Sequence, residues 1–330
     1  MQCIHCGRDT KYKVRKANGG KCGSCGHPFA FEPRDYPRIT DRFFQQTIQA
    51  VDGRGRVFFT ERQLWYEVNR RLRRRRWNYF LLRLFRRPPG LPSVPPVEFR
   101  RAYVRPWLEA HGPIEKLLPA GRRAPSDQRQ APPSHRPPSE LSVYSFDRAV
   151  VADHAEIAAM LVANNFHFEN NCAVLSLDGY PSGVADTVLA MLRRNPNLQV
   201  CAVHDASPEG CALPLALRRE PWFPEPTVRV LDLGLRPRHV RALRLHTLID
   251  DGRVLAPEVR ALLTPEEIAW LEQGNRAELA ALRPARLMRT IFQAFSRPPG
   301  GADSEGGAAD GDSVWFYDSE ADVHAADSFG

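Results

Sequence analysis

Three short apolar runs that each end in an aspartate constrain the fold of this chain more than any other feature. They are residues 149–153, 172–178 and 198–205. Runs of this length that do not alternate with polar residues are typical of strands buried in a parallel sheet. Open α/β sheets place their ligands beyond the carboxyl ends of the strands, so we expect Asp153, Asp178 and Asp205 to gather at one edge of one sheet. The alternative is that these acids cap the helices that follow.

The length and composition narrow the class of protein. The chain has 330 residues, which is enough for two domains with linkers. No apolar run approaches the ~18 residues that a membrane span needs, and the sequence opens on cysteines without a cleavable signal. We therefore expect a soluble cytoplasmic protein with no membrane partner, associated with the nucleoid if it is prokaryotic.

Four of the seven cysteines form two C-x-x-C-G knuckles with fifteen residues between them. Their candidate metal ligands are Cys3, Cys6, Cys22 and Cys25. Four thiolates at this spacing enclose a tetrahedral Zn²⁺, and the glycine after each pair allows a tight turn. Because a site with four cysteines leaves no open coordination position, the sequence predicts a structural zinc ribbon and not a catalytic zinc.

The charge is distributed very unevenly along the chain. The formal net charge is +8, but residues 1–140 carry +17, residues 141–296 carry −2 and residues 297–330 carry −7. A basic first part followed by a near-neutral globular part indicates that the N-terminal region binds a polyanion.

The segment after the ribbon shows helical periodicity. Residues 41–51 form one amphipathic pattern, 57–59 read as a short strand, and Thr60 with Gln63 forms a capping box for a second helix. A third amphipathic helix is expected over 98–110. Three helices with a short strand in so basic a region favour a winged-helix or helix-turn-helix DNA-binding domain.

The second helix runs into six arginines within seven residues. They are the candidate DNA contacts, Arg70, Arg71, Arg73, Arg74, Arg75 and Arg76. A run of arginines is often only a solvated face of a helix. Beside a predicted zinc ribbon we interpret it as a phosphate-binding surface, although neither feature separates DNA from RNA.

The remaining chain alternates strand and helix patterns. Strands are expected at 148–153, 172–178, 199–204 and 227–233, with helices at 154–166, 183–194 and about 210–219, and two or three more within 236–296. The predicted organisation is a zinc ribbon (1–32), a winged helix (38–118), a Pro-rich linker (119–140), an α/β domain with a mostly parallel sheet and C-terminal helices (141–296), and a disordered acidic tail (297–330).

Four local motifs in this order resemble the A subunits of type IIB DNA topoisomerases (topoisomerase VI) and the related meiotic double-strand-break transesterase. The segments are 60–66 (TERQLWY), 179–182 (GYPS), 204–210 (HDASPEG) and 233–237 (LGLRP). The resemblance covers roughly residues 40–296 and implies a winged helix followed by a Toprim metal-binding fold. It also implies that Tyr66 attacks the DNA phosphodiester, that Arg62 steadies the phosphate, and that Asp205 binds Mg²⁺ with Asp153 or Asp178.

The sequence departs from that family at two acidic positions. Ser207 stands at the second aspartate of the metal motif, and Ala152 stands at the first-strand glutamate, one residue before Asp153. Since a shift of one residue along a strand points a side chain to the other face, Asp153 can replace the glutamate only if the strand has ended or bulged there. The resemblance further implies a homodimer on duplex DNA and a separate ATPase subunit.

Three functions therefore remain open from the sequence. The protein is a DNA-cleaving transesterase that uses Tyr66, or a metal-dependent nuclease without a covalent intermediate, or a DNA-binding module that keeps the fold and has lost the chemistry.

Overall fold

The computed structural model describes residues 1–35, 37–77, 94–119, 146–177, 195, 198–219, 229–252 and 254–295. For 73–77, 219 and 229 it describes the backbone alone. The chain divides into two compact units, the N-terminal unit (1–119) and the C-terminal unit (120–330). The predicted linker, the acidic tail, the helix at 183–194 and the segment 179–182 lie almost wholly outside the described residues. No helix in the described ranges is long and apolar enough to cross a membrane.

The N-terminal unit begins with the two knuckles and continues as helices. These are α1 (Tyr12–Ala17), α2 (Asp41–Val51), α3 (Glu61–Trp77), α4 (Pro96–Phe99) and α5 (Arg105–His111). A single π-helical stretch, Arg100–Val104, joins α4 to α5 into one helical segment.

The helices predicted for this unit are confirmed, whereas the predicted strand is not. Helix α2 has the predicted bounds, and Thr60 and Gln63 form the predicted capping box at the start of α3. The strand predicted at 57–59 is wrong: Phe59 makes only an isolated parallel bridge to Leu117. Three residues give too few ladder hydrogen bonds to define a strand of their own.

The knuckles and the helices share one hydrophobic core. Phe31, just after the second knuckle, packs against Phe44, Tyr103 and Trp107. The buried carboxylate of Asp41 accepts the backbone N–H groups of Ala30 and Phe31, each at 3.0 Å. Buried packing and hydrogen bonds therefore join the ribbon to α2, to the π-helical stretch and to α5.

The C-terminal unit is an α/β structure built on four parallel strands. They are β1 (Arg148–Ala152), β2 (Cys172–Ser176), β3 (Gln199–Val203) and β4 (Arg229–Gly234), in the order β2-β1-β3-β4. The predicted parallel sheet is thereby confirmed. β1 pairs with β2 on one side and β3 on the other, which makes the carboxyl ends of β1 and β3 the topological switch point of the sheet.

Helices pack on this sheet, and further helices form a C-terminal region after it. They are α6 (Ala155–Ala163), α7 (Phe166–Glu169), α8 (Pro208–Arg219), α9 (Pro237–Ala242), α10 (Pro257–Arg260), α11 (Pro265–Glu272) and α12 (Pro284–Phe295). A two-stranded antiparallel pair, β5 (Leu248–Ile249) and β6 (Asn275–Arg276), lies between them. Leu213 and Leu217 of α8 join alternate residues of the strands in one buried cluster.

The helix predicted at 154–166 is wrong in its extent. It ends at Ala163 because Asn165 adopts a left-handed conformation with φ of 58°, and the short helix α7 starts anew after it. Asparagine tolerates this conformation better than most residues, so it ends helices much as glycine does.

Candidate functional site

The first candidate site is a metal centre in the two knuckles. The ligand atoms of Cys3, Cys6, Cys22 and Cys25 lie within 4.8 Å of one another. The Sγ atoms of Cys3 and Cys25 are 3.8 Å apart, as are those of Cys6 and Cys22. Four sulfurs at about 2.3 Å from a tetrahedral zinc would be separated by about 3.8 Å, so the four cysteines fit a closed Zn²⁺ site.

The backbone of each knuckle explains how the sequence forms this centre. Gly7 and Gly26 have φ of +72° and +71°, and each donates its N–H to the carbonyl of the first cysteine of its knuckle at 2.9 Å. Hydrogen bonds from the backbone N–H groups of Cys25 and Ser24 lower the pKa of the Cys22 thiol to about 6. The His27 backbone N–H also favours the Cys25 thiolate, but burial and the neighbouring cysteines outweigh it and raise the pKa of Cys25 to about 12, so Cys22 is the thiol that ionises first. The rings of His5 and His27 stack on each other at 5.0 Å, in keeping with the all-cysteine ligand set.

The second candidate site lies at the switch point of the parallel sheet. Asp153 follows the last residue of β1, and Asp205 comes two residues after the end of β3. Together with His154 they form a second group whose ligand atoms lie within 4.8 Å of one another. Two of the three predicted acids thus meet at this edge, whereas Asp178 lies outside the described residues.

The hydrogen bonds of this group show that neither aspartate caps a helix. Asp153 Oδ2 accepts the backbone N–H of Asp205 at 2.6 Å, and Asp205 Oδ1 accepts that of Leu279 at 2.7 Å. Asp205 Oδ2 lies 3.2 Å from Nε2 of His154. Ser207, at the position where the resembling family has its second aspartate, accepts the N–H of Gly210 in the first turn of α8. The capping interpretation is therefore wrong for Asp153 and Asp205.

The Asp153 carboxylate is held in an unfavourable environment. Its Oδ1 atom is buried and has no hydrogen-bond partner in the described structure. Burial and the neighbouring Asp205 carboxylate raise the pKa of Asp153 to about 6. A buried carboxylate oxygen without a partner beside a second carboxylate is what an absent cation would satisfy.

A buried ionic network supports the Asp205 loop from behind. His204 Nδ1 lies 2.8 Å from the carbonyl oxygen of Asp205, and its Nε2 lies 3.0 Å from Asp232 Oδ1. Arg236 donates to Asp232 Oδ2 from Nε at 2.9 Å and from Nη2 at 2.8 Å. Burial alone would raise the pKa of Asp232, but the charges of His204 and Arg236 more than offset it and hold that pKa below its usual range.

Close backbone packing fixes the same loop on its other side. A Cβ atom on Gly210 would stand 2.1 Å from the carbonyl oxygen of Asp205, so only glycine allows α8 to approach the loop this closely. Gly210 is the last residue of the 204–210 motif, and this contact gives the motif glycine a physical reason.

The acidic pair opens into a cleft of about 480 Å³ within the C-terminal unit. Six carboxylates are among its lining residues: Asp153, Asp205, Glu209, Asp250, Asp251 and Glu278. The basic side chains among the described lining residues are His154 and Arg276. So strong an excess of negative charge suits cations and disfavours a bare phosphate.

The N-terminal unit holds the predicted catalytic residues Tyr66 and Arg62. Tyr66 is 1% exposed with its hydroxyl oxygen buried, and its ring packs edge-on against Trp65 at 4.4 Å. The Arg62 guanidinium lies over the Trp65 ring at 4.6 Å and the Tyr66 ring at 5.6 Å. Both side chains thus take part in the packing of α3.

The predicted DNA-contacting arginines divide into two groups. Arg70 and Arg71 each pair with the buried carboxylate of Glu67, Arg71 at 3.3 Å. They neutralise a buried charge, so some of their N–H groups are occupied by Glu67 of the same helix. The side chains of Arg73, Arg74, Arg75 and Arg76 lie outside the described residues.

Comparison with known proteins adds no assignment: no protein-family model matches the sequence, and no curated protein matches it either. The resemblance to topoisomerase VI A subunits remains an expectation drawn from the four motifs, as do the winged-helix and Toprim assignments.

Sequence reasoning missed His154, His204 and Asp232. His154 could have been found, because a histidine directly after a strand-end aspartate adds a third ligand type at the same edge. The pairing of His204 with Asp232 could not, since it depends on the shifted register between β3 and β4 at Ala202 and Val203.

Proposed function

We propose that this protein binds DNA through its basic N-terminal unit and hydrolyses it with a divalent cation held by Asp153 and Asp205. The observation that carries the proposal is the convergence of these two carboxylates at the switch point, with Asp153 Oδ1 buried and unpartnered. Phosphodiester cleavage is a reaction that uses both a polyanion-binding region and a cation site in one chain.

The residues at the switch point have separable roles in this proposal. Mg²⁺ and Mn²⁺ prefer oxygen ligands, so Asp153 Oδ1 and Asp205 Oδ2 would hold the ion. The ion, when bound, lowers the pKa of a coordinated water. His154 is 57% exposed on its side chain and lies beside Asp205, where its Nε2 can take up a proton. His204, Asp232 and Arg236 keep the Asp205 loop in place.

Hydrolysis by an activated water is favoured over attack by Tyr66 because of where the tyrosine lies. A nucleophile must reach the phosphorus atom, but the Tyr66 hydroxyl is buried in the packing of α3. Transesterification would require the packing around Tyr66 to open, so that its hydroxyl could reach the DNA. The homodimer and the ATPase subunit belong to the transesterase mechanism and stay predictions of the resemblance.

The cleavage test uses supercoiled plasmid incubated with the full-length protein and Mg²⁺ or Mn²⁺, then denatured rapidly. We expect metal-dependent nicking without protein attached to the broken end, unchanged by Tyr66→Phe and reduced at least a hundredfold by Asp205→Asn. Asparagine keeps the Leu279 hydrogen bond through its own oxygen, so this variant should fold. Asp251→Asn, which removes a charge from the same cleft, is the matched control.

Each other outcome of that assay identifies a different function. A covalent protein–DNA adduct that disappears in Tyr66→Phe would establish the transesterase and overturn hydrolysis. DNA binding without cleavage in either metal, and without metal binding, would show that the protein is a DNA-binding module.

DNA binding should be largely electrostatic and should reside in the N-terminal unit. The affinity for duplex DNA is expected to fall linearly with salt on a log–log plot, by about 0.9 per phosphate neutralised. Replacing Arg73 to Arg76 with serine should flatten the slope by up to about 3.6, which is about 0.9 for each of four phosphates. Fluorescence anisotropy over a salt series measures it.

Arg244→Ser with Arg260→Ser removes two positive charges from the C-terminal unit and should leave the slope unchanged. An equal change in slope per charge from both sets of variants would refute an N-terminal location of the DNA-binding surface. Tighter binding of RNA than of DNA of the same length would show that RNA is the preferred ligand.

A further inference from the structure

We propose that Arg276 binds the substrate phosphate in the acidic cleft. It thereby gives the cation-loaded cleft its specificity for a phosphate group. This proposal rests on the proposed cation site and adds the residue that recognises the substrate. Six carboxylates line the cleft. Among its lining residues in the described ranges, Arg276 is the one whose charge is positive at every physiological pH.

The backbone fixes Arg276 next to the Asp205 loop. Ala206 and Ala277 form an antiparallel bridge, with N–H to O distances of 2.8 and 3.1 Å in the two directions. The Leu279 N–H adds the 2.7 Å hydrogen bond to Asp205. In such a pairing Arg276 stands opposite Ser207, on the face that Asp205 also shares, because side chains alternate along extended segments. All three residues line the cleft.

The Arg276 guanidinium is only weakly engaged within the protein. Its Nε atom is buried and donates to no acceptor among the described residues, and its Nη1 lies 3.6 Å from Asp250 Oδ2. Both side chains of this ion pair are about half exposed, so the pair contributes little to stability. In contrast, Arg236 on the other side of the loop is fully committed to Asp232 and to the Leu262 carbonyl.

A cation and a guanidinium in one cleft are complementary to a phosphate. The ion would neutralise the Asp153 and Asp205 carboxylates and bind one phosphate oxygen, and Arg276 would donate to the other oxygens through two of its N–H groups. Without the cation the six carboxylates repel the ligand. The inferred ligand is therefore a phosphate mono- or diester, bound only when the cation is present.

The experiment measures metal binding and phosphate binding separately on the full-length protein. Mn²⁺ binding is followed by electron paramagnetic resonance, and thymidine monophosphate binding by the broadening of its ³¹P resonance by protein-bound Mn²⁺. We expect Arg276→Gln to bind Mn²⁺ as the wild type does and to bind the nucleotide about tenfold or more weakly. Arg276→Lys should fall between, since it keeps the charge and loses the fork.

Two further variants make the result specific to Arg276. Asp250→Asn removes its competing partner and one repulsive charge, so nucleotide binding should become tighter. Arg260→Gln removes an equal charge from outside the cleft, where the arginine pairs with Glu272, and should change nothing. Nucleotide binding by Arg276→Gln equal to that of the wild type, with Mn²⁺ bound, would overturn the role of Arg276 alone. Failure of the wild type to bind Mn²⁺ would overturn the cation site and this proposal with it.

Discussion

Cys22→Ser should abolish zinc binding and unfold the ribbon at residues 1–30, while the C-terminal unit stays folded. Purified wild-type protein is expected to contain about one zinc per chain, and the variant close to none. A structural zinc of this type contributes on the order of 10 kcal/mol to the folding of its domain. The ribbon has little else to replace it, since the knuckles are held by turns and the ribbon carries few buried apolar residues.

The contacts of the ribbon determine how far this loss spreads. Phe31 completes the aromatic core with Phe44 and Trp107, and Asp41 binds the backbone that leads out of the second knuckle. We therefore expect amide exchange to accelerate through α2 and α5 as well as within residues 1–30. Elemental analysis with hydrogen exchange resolved by peptide measures both effects.

The control for the zinc experiment is Cys201→Ser. Cys201 is buried in β3 of the C-terminal unit, and burial raises its thiol pKa to about 12. This variant should keep its zinc. Zinc-free wild-type protein, prepared without chelators, would show that the four cysteines do not form a metal site.

Asp153→Asn should stabilise the metal-free protein above pH 6 while removing its cation binding. The pKa of Asp153 is raised to about 6 from an ordinary value of 3.8, so the folded state binds its proton more tightly than the unfolded state. Stability contributed by the protonated form is present below pH 4 and is lost as the pH rises to about 6. A shift of this size corresponds to up to about 3 kcal/mol at neutral pH. Asparagine keeps an oxygen for the Asp205 N–H and carries no charge.

Thermal unfolding at pH 4.5 and pH 7.5, with and without Mg²⁺, tests this prediction. The variant should gain on the wild type at the higher pH only. Mg²⁺ should raise the Tm of the wild type and leave that of the variant unchanged, because a ligand stabilises only a protein that binds it. Asp251→Asn, at an exposed position, is expected to shift neither curve. A variant less stable than the wild type at pH 7.5 would mean that Asp153 is a structural residue and not a site for a cation.

Much of the fold follows from local sequence patterns. The apolar runs place all four strands within about two residues, and the Thr60–Gln63 capping box marks the start of α3, since both depend on nearest neighbours in the chain. The break at Asn165 was missed because a helical pattern of apolar residues continues past it, while the backbone conformation of one residue decides where the helix ends.

The site was predictable in position and less so in detail. The rule that parallel strands end at one edge brought Asp153 and Asp205 together, and the end of β1 at Ala152 meets the condition under which Asp153 can serve. The partners of these acids were not predictable. Leu279 is 74 residues from Asp205 in sequence, and only the folded chain brings its amide to the carboxylate.

The different hydrogen bonding of the two aspartates bears on how related sequences should be read. Asp205 Oδ1 accepts the Leu279 N–H, so selection for folding alone would retain a side chain with an acceptor oxygen there, either aspartate or asparagine. Asp153 has an unpartnered oxygen that only a bound cation would stabilise. A descendant without the chemistry would therefore be free to exchange Asp153 for asparagine. An aspartate at position 205 of a homologue is therefore weaker evidence of activity than an acidic residue at position 153.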